Sequence, residues 1–141
     1  MERLMKQLSF KAILIGCLAD WIGTFAFTFA LDTCTVILSA LRGMSLTEIE
    51  AALMEWHKSV PGIVCSSFYG FGFTLLGGYI AAKLSKTGHL LNSALVGGLG
   101  ILLGFFFIAE TPKVLFFLSV ALPIPLSLLG GFWYKRQSKS Y

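Results

Sequence analysis

From Ala12 to Leu41 the chain runs for thirty residues with only two charged side chains, Asp20 and Asp32. As an α-helix that run would be about 45 Å long, against ~30 Å for the hydrocarbon core of a bilayer. The mean helix of a globular protein is only about 11–12 residues. The run therefore predicts a membrane-spanning helix over 10–41, one that tilts, bends or projects beyond the membrane. Three more apolar runs follow, at 60–84, 90–109 and 114–134. Each is near or above the ~20 residues needed to cross a bilayer. Composition points the same way: 56% of residues are hydrophobic and 13% charged, against about 45–50% and about 25% in soluble domains. The 141 residues read as one all-α integral membrane domain, a four-transmembrane-helix bundle, with no room for a soluble domain.

The cations orient the bundle. Arg3, Lys6 and Lys11 precede the first run, Lys83 and Lys86 separate the second from the third, and Lys135, Arg136 and Lys139 follow the fourth. If all four runs span, these cations share one side. The other side holds Arg42, Lys58 and Lys113 together with Glu48, Glu50, Glu55 and Glu110. The positive-inside rule then puts both termini in the cytoplasm. Trp56, Trp133 and Tyr134 fall where interface aromatics belong. Topology thus accounts for the net charge of +4, and no nucleic-acid partner is needed to explain it. The basic start "MERLMKQLSF" leads into a run about twice as long as a signal-peptide core, so the first helix is expected to be retained.

Between the first two runs, "SLTEIEAALMEWHKSVPG" opens on Ser45-x-x-Glu48, a capping box. Leu46, Ile49, Leu53 and Trp56 recur at helical spacing. We expect a short amphipathic helix over 45–58 on the outer membrane surface or on the bundle. Ile49, Leu53 and Trp56 are its candidate surface for a membrane partner; a plain connector is the alternative.

Small residues recur in steps of four, which places them on one helix face. The stripes are Ala12, Gly16, Asp20, Thr24, Thr28 and Asp32; Ser66, Gly70, Thr74, Gly78 and Ala82; Ser93, Gly97, Gly100 and Gly104; and Ser119, Pro123, Ser127 and Gly131. Helices in lipid associate through close backbone contact and interhelical hydrogen bonds, which small residues permit. The stripes predict a tight bundle with most of the 13 phenylalanines facing out; a homodimer is their other use. Pro123 and Pro125 interrupt the backbone ladder of the last run, as a packing kink or as a hinge. "AILIGCLADWIGTF" and "SALVGGLGILLGFF" share the spacings Gly16/Gly23 and Gly97/Gly104. "LLGGYIAAKLSK" and "LLGGFWYKRQSK" share a Leu-Leu-Gly-Gly and a basic exit. A two-helix unit duplicated in parallel gives this pattern.

Asp20 lies about 13 Å along the helix from Lys11, near mid-membrane, and Asp32 a further ~18 Å on, near the outer boundary. That separation excludes a shared-proton pair, which needs carboxyls ~3 Å apart. No nucleophile–base pair or phosphate loop is visible, so no enzyme is expected. Cys17, Cys34 and Cys65 lack metal or redox spacing and read as structural thiols. No metal or other cofactor is expected. His57 and His89 read as ordinary interface residues. Acids within a membrane mark functional sites by default. Asp20, with Thr24, Thr28 and Asp32 on its stripe, is the candidate proton- or ligand-binding group. A carboxyl that titrates in the membrane can exchange its proton for a cationic ligand. The alternative is a packing role, with Asp20 hydrogen-bonded to Thr24, Thr74 or Ser127. Asp32 is expected to anchor an outer turn near Thr33, Thr35 and Arg42.

"GGYIAAKLSKTGHLLNSALVGGLGILLG", with "KAILIGCLADWIGT" before it and "LLGGFWYKR" after it, resembles a group of small four-helix bacterial inner-membrane proteins without assigned function. The resemblance implies the fold and an inner-membrane location, and no activity. "LIGCLADWIGTFAF" is similar to the first helix of small multidrug resistance transporters, which implies for Asp20 the place of their proton- and substrate-binding glutamate. This chain differs from them in its Asp, its longer first helix and its inserted outer segment. The leading reading is a non-enzymatic structural or accessory component that binds lipid or a membrane partner. The alternative is a proton-coupled transporter of small molecules or cations, with Asp20 as the titrating carboxylate.

Overall fold

The computed structural model describes residues 7–105 and 113–138, and in the second segment the side chains from residue 116 onward. Residues 106–109 of the third expected span, and the charged groups Arg3, Lys6, Glu110, Lys113 and Lys139, lie outside the described positions or side chains. Among the described residues the chain is all α-helix, with no strand. The helices are α1 (Phe10–Leu41), α2 (Leu46–Lys58), α3 (Val60–Leu84), α4 (His89–Gly104), α5 (Lys113–Ala121) and α6 (Pro123–Gln137). Two of them, α1 and α3, are long and apolar enough to cross a membrane; α4 is a shorter apolar helix of 16 residues.

Local chemistry sets the helix ends. The Ser9 hydroxyl accepts the Ala12 N–H at 3.4 Å and opens α1. At α2 the Glu48 carboxylate accepts the Ser45 N–H at 2.7 Å and the Ser45 hydroxyl proton at 2.8 Å, while the Glu48 N–H reaches back to Ser45 Oγ at 3.4 Å. Ser59 caps α3 by accepting the Gly62 N–H at 3.1 Å, and Pro61 sits in the first turn, where its missing N–H costs nothing. The turn into α4 needs Gly88, whose φ of +64° favours glycine and whose Cα lies against the Gln7 backbone. The last apolar run divides at Leu122 into α5 and α6. Pro123 has no N–H for the Ser119 carbonyl, and Pro125 has none for Ala121.

The four principal helices pack with α3 and α4 between α1 and α6. Gly16 faces Gly77, and Asp20 faces Thr74, so α1 and α3 are antiparallel. The Ser93 hydroxyl donates to the Gly78 carbonyl at 2.8 Å across the α3–α4 hairpin. Gly97 faces Pro123 and Ser127, while Gly131 faces Ser93, so α4 and α6 are antiparallel as well. Hence α1 and α4 point one way, and α3 and α6 the other.

The interior is made of small and polar groups. Val96 is the largest fully buried side chain, followed by Asn92, Cys17, Ser93 and Ser127. Phe10, Phe25, Phe29, Phe68, Phe117 and Phe132 are all exposed. A protein folded in water hides its large apolar side chains; this bundle turns them outward and brings its backbones together.

Four residues join the end of α1 to α2, and His57 near the end of α2 lies 3.2 Å from Asp32 of α1. The amphipathic helix therefore folds back along the last ten residues of α1. Phe10 to Asp32, the part of α1 before this contact, is about 33 Å of helix.

Candidate functional site: the cavity at Asp20

At the level of α1's first turns the helices meet backbone to backbone. A Cβ on Gly16 would lie 2.7 Å from the Gly77 carbonyl oxygen, and one on Gly77 would lie 2.6 Å from that of Gly16. Gly78, Gly97, Gly130 and Gly131 are equally enclosed, against Ser127, Pro123, Leu75 and Ser93 in turn. Further along, Gly23 packs against the Phe73 ring, but the glycines that line the cavity have no such neighbours. A Cβ on Gly70 or Gly104 meets nothing within 4 Å, and one on Gly100 reaches Asp20 Oδ2 and Pro123 only at 4.0 Å. The same residue type that closes the bundle at one end leaves a cavity of about 370 Å³ beyond it.

Asp20 stands at the boundary between the closed and open halves, only 5% exposed. Its carboxyl oxygens lie 3.2 and 3.3 Å from the Thr74 hydroxyl, which also lies 3.1 Å from the Gly70 carbonyl. A hydroxyl has one proton and accepts as well as donates. Toward an ionised Asp20, Thr74 donates. Toward a protonated Asp20, it can accept from the carboxyl and donate to Gly70. Both charge states of Asp20 therefore keep a hydrogen-bonded partner without rearranging the helices.

The remaining walls combine aromatic and hydroxyl-bearing side chains with Leu103, Pro123 and the glycines Gly70, Gly100 and Gly104. Trp21 and Phe25 come from α1, and Phe71 from α3. Thr24, Ser66, Ser67 and Ser119 also line the cavity. The hydroxyl protons of Ser66 and Ser67 go to the Ile63 carbonyl at 2.9 and 2.8 Å, and that of Ser119 to Phe116 at 2.8 Å. What these oxygens can offer a ligand is lone pairs. Lone pairs, a carboxylate and aromatic rings make a site for a positively charged or hydrogen-bond-donating guest. Among the described residues no basic residue lines the cavity.

The other expected residues fall as follows. Thr28 donates to the Thr24 carbonyl at 2.9 Å and lies 3.0 Å from the Tyr69 hydroxyl, further along the stripe. Asp32 is outside the cavity: its partner is His57, and not the turn residues Thr33, Thr35 and Arg42. Pro123 lines the cavity, whereas Pro125 is exposed. On α2, Ile49 is buried and Leu53 half-buried; Leu46, Met54 and Trp56 are the apolar side chains left open. Cys17 is buried, Cys34 and Cys65 are exposed, and all three are free. Among the described residues no group of His, Cys, Asp and Glu gathers at metal-binding spacing. Sequence reasoning missed Trp21, Phe25, Phe71 and Ser67 as cavity residues. Only the tryptophan beside Asp20 carried a local hint. Compared with family models, curated proteins and solved structures, the chain matches none.

Proposed function

We propose that the chain is a four-span protein of the cytoplasmic membrane, with both termini on the cytoplasmic side, whose cavity binds a small lipophilic cation in exchange for a proton on Asp20. One observation carries the reading: a buried carboxyl opens into a cavity that has room for a ligand and, among the described residues, no basic residue to neutralise it. An unpaired charge in a low-dielectric interior is costly, so the counter-charge must be a proton or the guest. About 370 Å³ lies at the small end of the usual range for ligand pockets, ~300–1,000 Å³. The resemblance of "LIGCLADWIGT" to the first helix of small multidrug resistance transporters assigns Asp20 the same part. The alternating helix directions suit a parallel two-helix repeat, a known transporter architecture. A purely accessory or structural role would favour Asp20 packed dry against hydroxyls, so the cavity moves the balance to a proton-linked site.

The test is proton release. The purified chain in weakly buffered detergent is titrated with tetraphenylphosphonium while a pH dye is followed. A proton should leave for each cation bound, and Asp20→Asn should abolish binding and release together. Binding without release, or undiminished binding to Asp20→Asn, overturns the proposal. Thr74→Val should weaken binding about fivefold, the weight of one hydrogen bond.

A further inference from the structure

A second cavity, about 460 Å³, lies at the opposite end of the bundle from the outer helix α2. Lys11 of α1 and Lys86 of the α3–α4 turn both line it, with Ser9 and Thr87 beside them and, among the described residues, no carboxylate in the lining. Below the polar mouth the lining is apolar, through Ile15 of α1 and Leu84 of α3. Among the described residues this end of the molecule carries Lys11, Lys83, Lys86, Lys135 and Arg136, and no acid lies beyond Asp20 toward it.

The two walls are fixed to each other. Asn92, fully buried on α4, accepts the Ser9 N–H at 2.8 Å. Its amide donates to the carbonyls of Gln7 at 3.0 Å, Thr87 at 3.2 Å and Gly88 at 2.9 Å. One side chain thereby ties the segment that leads into α1 to the α3–α4 turn; Lys11 follows the first in the opening turn of α1, and Lys86 lies in the second. The pocket exists before any ligand arrives, so little ordering is left for binding to do.

We propose that this cavity holds the phosphate of an anionic phospholipid, with Lys11 and Lys86 as its counter-charges and an acyl chain running down past Ile15 and Leu84. Basic pockets between transmembrane helices at the cytoplasmic side hold anionic headgroups in this way. Lysine serves phosphate as a point charge. The apolar lining favours a lipid over free phosphate, because a free ion has nothing to place against Ile15 and Leu84. The inference rests on the reading that α1 and α3 cross the membrane.

Native mass spectrometry of the full chain in detergent tests it, with phosphatidylglycerol and phosphatidylcholine as probes. Wild type should prefer phosphatidylglycerol, and Lys11→Gln with Lys86→Gln should bind it about thirtyfold more weakly, at the weight of a membrane-surface cation for each lysine. Lys83→Gln with Lys135→Gln, which removes the same charge outside the cavity, should keep the preference. Equal loss in both double variants, or no preference in wild type, overturns the pocket while retained phosphatidylcholine leaves the membrane reading intact. Failure to retain either lipid overturns both. Displacement of phosphatidylglycerol by millimolar inorganic phosphate would make the site one for the free ion and overturn the lipid assignment.

Discussion

At the scale of single residues, glycine does two opposite jobs in this molecule. Gly77 stands where the backbones of α1 and α3 touch: an added methyl would fall 2.6 Å from the Gly16 carbonyl and 3.1 Å from Asp20 Cβ. Gly70, two turns away on the same helix, borders open space. The same substitution should therefore give different results. Gly77→Ala should destabilise the bundle by about 1–3 kcal/mol, the cost of overpacking. Gly70→Ala should stay within about 0.5 kcal/mol, as substitutions without close neighbours do, and should instead reduce the room for a cation. Unfolding in mixed micelles titrated with dodecyl sulfate reads both, and equal losses would refute the distinction. Glu48 gives a second test. The Ser45 N–H and hydroxyl that it accepts hold its pKa below the ordinary 4.5. A lowered folded pKa means that the stabilisation is complete above the unfolded value and disappears as pH falls through the folded one. Amide exchange at the start of α2 should thus be unchanged from pH 7 to pH 6 and rise, relative to its intrinsic rate, below about pH 4. In Glu48→Gln, which has no carboxylate to protonate, that acid step should vanish.

At the scale of elements, α1 and α2 show how a local pattern is completed by a neighbour. The apolar run was legible as one helix of 32 residues, and the capping box marked the start of α2. Where α2 goes was not legible, because Asp32 and His57 are distant in sequence and each looks like a solitary interface group. The contact between them is part-exposed, with side chains 32% and 45% accessible, and such pairs add little stability. Its value is geometric. In a background without Cys34 and Cys65, Asp32→Cys with His57→Cys should form an intramolecular disulfide under mild oxidation. No cross-link in the assembled protein would mean that α2 lies on the membrane surface instead. The break between α5 and α6 was legible at Pro123 and Pro125, since a missing N–H is a property of the residue itself.

At the scale of the whole molecule, close helix packing and the cavity at Asp20 occupy different levels of the bundle. Close contacts at Gly16, Gly77, Gly78, Gly97, Gly130 and Gly131 draw the helices together in the half that contains the start of α1. The cavity at Asp20 occupies the half toward α2. The proposed topology assigns that half to the exterior. In right-side-out vesicles of a chain freed of its native cysteines, a membrane-impermeant maleimide should label a cysteine placed at Lys58 and leave one placed at Arg136 unlabelled until the membrane is opened. Labelling of both from the outside would contradict the four-span arrangement.

The sequence by itself determined the helical architecture, the long first helix, its caps and the acid within it. These follow from hydrophobic run length, i to i+4 spacing and backbone chemistry, all of which act over a few neighbouring residues. The stripes of small residues also told which faces turn inward. Only the tertiary structure decided which glycines seal the bundle and which open it, that Thr74 partners Asp20, that His57 partners Asp32, and that two lysines far apart in the chain share one pocket. A cavity has no residue of its own. It exists where several helices fail to meet, and that depends on how far apart their axes lie, which no single stretch of sequence encodes.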